Sequence, residues 1–126
     1  MKNVRELIKK HDIRMTKSLG QNFLVDNNVV KCIVDAAEVN DNDVVIEVGP
    51  GIGSMTVELA KRAKQVVAVE IDKHLVPALD DSLKEFDNVK VINEDILKTD
   101  LYQLTNGFRQ EFPNASVKVV ANLPYY

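Results

Sequence analysis

The chain has 126 residues, of which 45 % are hydrophobic and 28 % charged, which bounds it to one globular unit at most. No apolar run reaches membrane-spanning length, the N-terminus lacks a signal peptide's apolar core, and the single Cys32 excludes an internal disulfide. These features predict a cytoplasmic protein, and a net charge of −3 does not advertise nucleic-acid binding.

The charge is unevenly spread. Residues 1–17 carry six basic side chains (Lys2, Arg5, Lys9, Lys10, Arg14, Lys17) against Glu6 and Asp12, giving +4 and leaving −7 for the rest. A basic N-terminal arm, residues 1–25, on an acidic body suits contact with a polyanion, although solvated lysines on a short helix fit equally well. Val4, Leu7 and Ile8 mark that short amphipathic helix. Beyond the basic segment comes Ser18-Leu19-Gly20-Gln21-Asn22-Phe23-Leu24, an unusual lead-in for a helix. Asp26 is a candidate N-cap, and Val29, Val30, Ile33, Val34 and Ala37 form a helical apolar stripe in which Cys32 reads as a buried structural thiol. The polar cluster Asn40 to Asp43 ends that helix.

Val44-Val45-Ile46-Glu47-Val48 is then a buried parallel strand, followed by Gly49-Pro50-Gly51-Ile52-Gly53 and a helix over Ser54–Ala63. Strand, glycine turn and helix open a nucleotide-binding βαβ unit. A dinucleotide fingerprint would need its third glycine at position 54, which is serine, and a Walker loop would need a lysine that is absent. The pattern E-x-G-x-G-x-G resembles instead the motif of S-adenosylmethionine-dependent methyltransferases.

Val66 to Val69 is the second buried strand, ending at Glu70, and a helix from about His74 to Glu85 carries Pro77 near its start. Val89 to Ile92 is a third strand ending in Asn93-Glu94-Asp95. Residues 96–116 are poorly periodic, with a short helix near Tyr102, and Val117 to Ala121 is a fourth strand before Asn122-Leu123-Pro124-Tyr125-Tyr126. Right-handed crossovers in a doubly wound α/β fold give sheet order 3-2-1-4, which brings the loops after strands one and four to one crevice.

At that crevice, Glu70 lies where a carboxylate accepts hydrogen bonds from ribose hydroxyls, which supports a nucleotide without choosing which. Asp95 is placed to accept from an adenine amine, with Ile71 and Ile96 to sandwich the ring; Asp72 and Glu94 are alternatives. His11 and His74 lack metal-ligand spacing, and no cluster suggests a metal site. In Asn122-Leu123-Pro124-Tyr125, the proline stiffens the turn, and the Asn122 carboxamide and a nearby backbone carbonyl can accept from one exocyclic amine. Tyr125 offers a face for an unpaired base. Holding the amine hydrogens this way favours a nucleophilic nitrogen, and in-line methyl transfer is then helped chiefly by positioning.

The ordered set Leu19 to Leu24, Glu47 to Gly53, Glu70-Ile71-Asp72, Asp95 and Asn122 to Tyr125 closely resembles the N-terminal part of the small-subunit ribosomal RNA adenine dimethyltransferases (the KsgA type). The resemblance implies a Rossmann-like methyltransferase fold, S-adenosylmethionine as cofactor and no metal. It implies that Asn22 and Leu24 line the cofactor pocket, with Gly49 at the methionine moiety; Gly51 of the same loop is a further cofactor-binding candidate. Glu70 would hold the ribose with Ile71 beside it, Asp95 the adenine amine, and Asn122 would border cofactor and target base. The implied reaction converts two adjacent adenines of small-subunit ribosomal RNA to dimethyladenosines. The implied partner is an immature small ribosomal subunit, with no role at a membrane.

Two other readings stand beside this one. The first is the Erm type, which methylates large-subunit RNA; the second is a ribosome-assembly factor with methylation secondary. Family members continue through three more strands and a helical RNA-gripping domain, so residues 1–126 are expected to be a partial catalytic domain truncated after strand four. Strand four would then present a free edge with only Lys118 as a charged deterrent, open to pairing with a second copy.

Overall fold

In the computed structural model the described residues are 4–13 and 27–121. Ten of their segments are regular. Two helices, α1 (Val4–Lys10) and α2 (Asn27–Ala36), precede β1 (Asp43–Val48), α3 (Ser54–Arg62), β2 (Gln65–Val69), α4 (Val76–Leu83) and β3 (Val89–Ile92). A short 3-10 turn at Ile96–Lys98, α5 (Leu101–Glu111) and β4 (Ser116–Ala121) complete the order.

The four strands form one parallel sheet in the order β3-β2-β1-β4, as expected from the sequence. β1 sits between β2 and β4, with Val45 opposite both Val66 and Lys118. Alternation along the strands splits the core into two layers. On one face Val45 and Val66 pack with Val30 and Val34 of α2 and Met55 and Leu59 of α3. On the other face Val44, Ile46, Val67 and Val69 pack against Phe108 of α5, with Leu104 and Phe112 at the margin. Leu79 and Leu83 of α4 join Val57 of α3 over β3.

Local chemistry sets the boundaries. Pro77 falls in the first turn of α4, where its missing N–H costs nothing. Asn88 donates to the carbonyls of Ala60 (2.8 Å) and Ala63 (3.2 Å), closing the C-terminal end of α3. Asp100 caps α5 by accepting from the Gln103 amide at 2.9 Å.

Several expectations need correction. The poorly periodic stretch holds an eleven-residue helix, α5, rather than a short one near Tyr102. Cys32 is exposed, not buried: α2 turns Val30 and Val34 into the core and is tied to α3 at the surface by the Arg62–Asp35 ion pair. The apolar stripe is correspondingly narrower: Val29 and Ile33 are 45 % and 37 % exposed. Lys118 is no deterrent on the outer edge of β4. Its ammonium turns inward to the buried Asp43 carboxylate at 3.0 Å and donates to the Glu38 carbonyl at 2.7 Å. The candidate N-cap Asp26 lies outside the described residues.

Candidate functional site

The glycine loop leaves the carboxyl end of β1. Gly49, Gly51 and Gly53 have φ of 72°, 62° and 95°, a left-handed conformation that explains glycine at alternate positions. The Gly49 amide donates to the Val69 carbonyl at 3.0 Å, so the loop begins in register with β2. Gly53 then leads directly into α3, whose Ser54 hydroxyl is buried and has no hydrogen-bond partner among the described residues.

Glu70 follows the last residue of β2 and closes onto this loop. One of its carboxylate oxygens accepts from the Gly51 amide at 2.9 Å, the other from the Asp72 amide at 2.9 Å. The side chain is buried, and that desolvation raises its pKa above the ordinary value, with the two amide hydrogen bonds opposing the rise. Glu70 therefore ties the end of β2 to the turn after β1. Each oxygen retains acceptor capacity for a hydroxyl donor.

Glu47, beneath the loop on β1, is more deeply buried. Burial pushes its pKa up to about 7; the hydroxyl of Thr56, which donates to its Oε1, works against that, and the charge of Glu70 adds to it. The sequence reading assigned neither Glu47 nor Thr56 a contact. The signal was present, since an acid inside an otherwise apolar β-branched run requires a buried partner.

Asp95 caps the 3-10 turn, its Oδ1 accepting from the Leu97 amide at 2.9 Å, which leaves Oδ2 for another donor. Ile71 is 64 % exposed at the end of β2, while Ile96 is half-buried beside the α5 layer. The alternatives are engaged in the same way, Asp72 accepting from the His74 amide at 2.9 Å and Glu94 from the Thr99 hydroxyl at 3.0 Å. Asn93, unassigned from sequence, donates to the Glu70 carbonyl at 2.7 Å and binds the ends of β2 and β3 together.

The structure thus brings together Gly49, Gly51, Glu70 and Ile71, with Asp95 at the end of the next strand. Asn22, Leu24, Asn122, Leu123 and Tyr125 lie outside the described residues. Ala121, the last residue of β4, stands opposite Val48, immediately before Gly49. An open groove of about 480 Å³ between β3 and α5, lined by Lys90, Ile92, Glu94, Thr99, Gln103 and Phe108, includes the alternative acceptor Glu94 but none of the other predicted cofactor residues. Among the described residues no cluster could hold a metal ion, and no helix is long and apolar enough to cross a membrane.

Chemically, the floor of this crevice carries two carboxylates whose hydrogen-bond partners are a hydroxyl and backbone amides. The Glu70 carboxyl group there can accept from hydroxyl donors and opposes a pyrophosphate.

Comparisons with known proteins bear on the family and the fold. A "Ribosomal RNA small subunit methyltransferase A" of Alkaliphilus oremlandii is 53 % identical over 125 residues, covering 99 % of this chain and 42 % of that protein. The chain thus spans about two fifths of the length of the curated relatives it matches. A solved dimethyladenosine transferase from Plasmodium falciparum superposes with a TM-score of 0.64 at 28 % identity, covering 82 % of this chain and 34 % of that one. The 23S rRNA methyltransferase ErmE gives 0.60 at 30 % identity, over 81 % of this chain and 48 % of its own. The profile of the ribosomal RNA adenine dimethylase family matches residues 13–126, and the chain belongs to that family.

Proposed function

We propose that this chain is the cofactor-binding part of an S-adenosylmethionine-dependent enzyme that dimethylates two adjacent adenines of small-subunit ribosomal RNA. The observation that carries the reading is the Glu70–Gly51 clasp at the carboxyl end of β1, beside the last residue of β4. It joins the ribose acceptor, the glycine loop and the exit toward Asn122 at the switch point of the sheet.

The residues present fit the cofactor. Left-handed backbone at Gly49 and Gly51 shapes the turn that meets Glu70, and the buried Ser54 hydroxyl at the N-terminus of α3 is a donor for the amino-acid carboxylate. Glu70 would hold the ribose hydroxyls, Asp95 the adenine amine through its remaining oxygen, and Gly49 and Gly51 the methionine moiety. Ile71 would cover the ring, and Asn22 and Leu24 would complete the pocket. The bound cofactor supplies an electrophilic methyl group. Asn122 and the backbone beside Leu123 would accept the hydrogens of the adenine amine, and Tyr125 would stack on the base.

Small-subunit RNA, in an immature ribosomal subunit, is the preferred substrate because the 53 % identical relative carries that name. The lone, exposed thiol of Cys32 suits a reducing cytoplasm. The RNA-gripping helical domain implied by the resemblance would lie in the additional length that the relatives possess. The free edge of β4 would pair with a second copy of this chain when nothing else covers it.

Calorimetry of the 126-residue chain tests the cofactor. S-adenosylmethionine or S-adenosylhomocysteine should bind, NAD should not, and a folded chain that binds neither sulfur compound would sink the reading. Glu70→Ala should weaken binding by roughly 1.5–3 kcal/mol for each charge-assisted hydrogen bond lost. Tritiated-methyl incorporation by the full-length protein into each purified, unmethylated subunit tests the substrate. Labelling of the large subunit alone would move the assignment to the Erm type. Tight small-subunit binding by full-length Glu70→Ala, with growth supported, would favour the assembly-factor reading.

A further inference from the structure

We propose that α1 and α4 form a brace that holds the glycine loop in its binding shape, with Leu7 and Ser82 as positioning residues; this deepens, and rests on, the cofactor reading above. Ile52, within the loop, faces inward. It is 1 % exposed and packs with Leu7 of α1 and with Leu75 and Ala78 at the start of α4. Leu7 is itself fully buried, so the chief apolar anchor of α1 is spent on the loop.

The loop backbone is held by the last turn of α4. The Ser82 hydroxyl lies 2.6 Å from the Ile52 carbonyl and 3.1 Å from the Leu79 carbonyl of its own helix, the shorter contact being to the loop. Gly53 approaches so closely that a Cβ there would stand 2.7 Å from Ser82 Oγ and 3.1 Å from a Leu79 methyl. Asp81, adjacent to Ser82, completes the contact. It receives Lys10 at 2.7 Å and His11 at 3.0 Å from the end of α1, and Lys84 from its own helix at 3.6 Å. One stretch of α4 therefore grips α1 and the loop together, and the surface ion pair of Lys10 with Asp81 ties part of the basic arm to the fold.

The physical consequence follows from the glycines. Three left-handed glycines in five residues make a segment with many accessible unfolded conformations. Holding Ile52 from two sides orders it before the ligand arrives, which lowers the ordering cost that binding would otherwise bear. Nothing in the motif E-x-G-x-G-x-G reveals this, because Leu7 and Ser82 are 45 and 30 residues from Ile52.

The test combines amide exchange by NMR on the unliganded chain with calorimetry using S-adenosylhomocysteine. The variants are Leu7→Ala, Leu7→Met and Ser82→Ala, with Leu104→Ala in the opposite layer as a control for general destabilisation. Leu7→Ala and Ser82→Ala should speed exchange at the Gly51 and Gly53 amides while the Ile46 and Val67 amides keep their protection. Affinity should fall about tenfold in both, because pre-organisation is lost rather than a ligand contact. Leu7→Met should restore both readouts, and Leu104→Ala should lower the denaturation midpoint without moving either. Unchanged loop protection in Leu7→Ala and Ser82→Ala would overturn the brace, as would equal loosening by Leu104→Ala. Absence of sulfur-cofactor binding by the wild-type chain would overturn the cofactor reading instead, with exchange still deciding the brace.

Discussion

β1 and β4 run side by side in register from Asp43↔Ser116 to Val48↔Ala121, yet they are different environments. Every residue from Asp43 to Glu47 is buried, whereas Val119, opposite Ile46, is 64 % exposed. β1 has a strand on each side and a helical layer on each face; β4 has one strand neighbour among the described residues. Sheet composition alone does not distinguish them, since both are rich in valine. What differs is coverage, and coverage decides how much a given side chain contributes. The chemistry follows the same division: both buried carboxylates of the crevice sit on or next to the two central strands.

The largest expected effect measures that division directly. Ile46→Ala removes buried methyl groups from the core and should cost about 2–5 kcal/mol. Val119→Ala, its register partner, should stay within about 0.5 kcal/mol. Urea denaturation of the two variants, read by circular dichroism, compares them. Similar losses would show that β4 is covered in solution.

Glu47→Gln should come next, with the opposite sign. The folded chain holds Glu47 at a pKa of about 7 against an ordinary 4.5, so folding favours the protonated form. Stability associated with this proton is complete below pH 4.5 and is lost as pH rises through about 7. Removing the titration should therefore stabilise the chain at pH 8 by about 3 kcal/mol and change little at pH 4. The Gln oxygen can still accept from Thr56. A difference between variant and wild type that stays constant from pH 4 to 8 would show that Glu47 does not titrate in this range.

The central strands were legible in the sequence because they are continuous β-branched runs, and the glycine spacing announced the loop. α5 was not legible, for reasons its residues show. Only Phe108 is fully buried, with Leu104 and Phe112 beside it, so its apolar stripe is one residue wide. Thr105, Asn106 and Gly107 lower its helix propensity in mid-element, and the Asp100 cap and the sheet behind it override them. At the site, Glu70 was found from its place at the end of the second strand, but its bond to the Gly51 amide depends on β2 lying against β1. Ser82, Asn93 and Leu7 were missed because their roles exist only after distant segments pack. α2 misled in the other direction: its stripe offers four large apolar residues, and its neighbour uses two. From this account Gly107→Ala should stabilise the chain by about 0.5–1 kcal/mol, because a Cβ there meets nothing within 4 Å. A thermal shift downward would mean that the groove beside α5 needs the bare backbone.

The smallest effect on stability, and the sharpest on association, is expected at the β4 edge itself. Val119→Lys places a charge on an already exposed position, so the denaturation midpoint should move by less than the equivalent of about 0.5 kcal/mol. Its effect should lie between molecules. With Lys118 turned inward onto Asp43, the described part of β4 carries no charge aimed at an approaching strand. Two such edges can pair about a two-fold axis, each supplying the amides and carbonyls the other lacks. A lysine at position 119 on each copy would bring like charges to that seam and break the pairing. Light scattering across a concentration series should show wild-type mass rising toward twice the monomer and Val119→Lys remaining monomeric. A wild-type chain that stays monomeric at every concentration would remove the dimer and leave β4 exposed. Association that survives Val119→Lys would move the contact to another surface, with exposed Val29 and Ile33 on α2 the next to substitute.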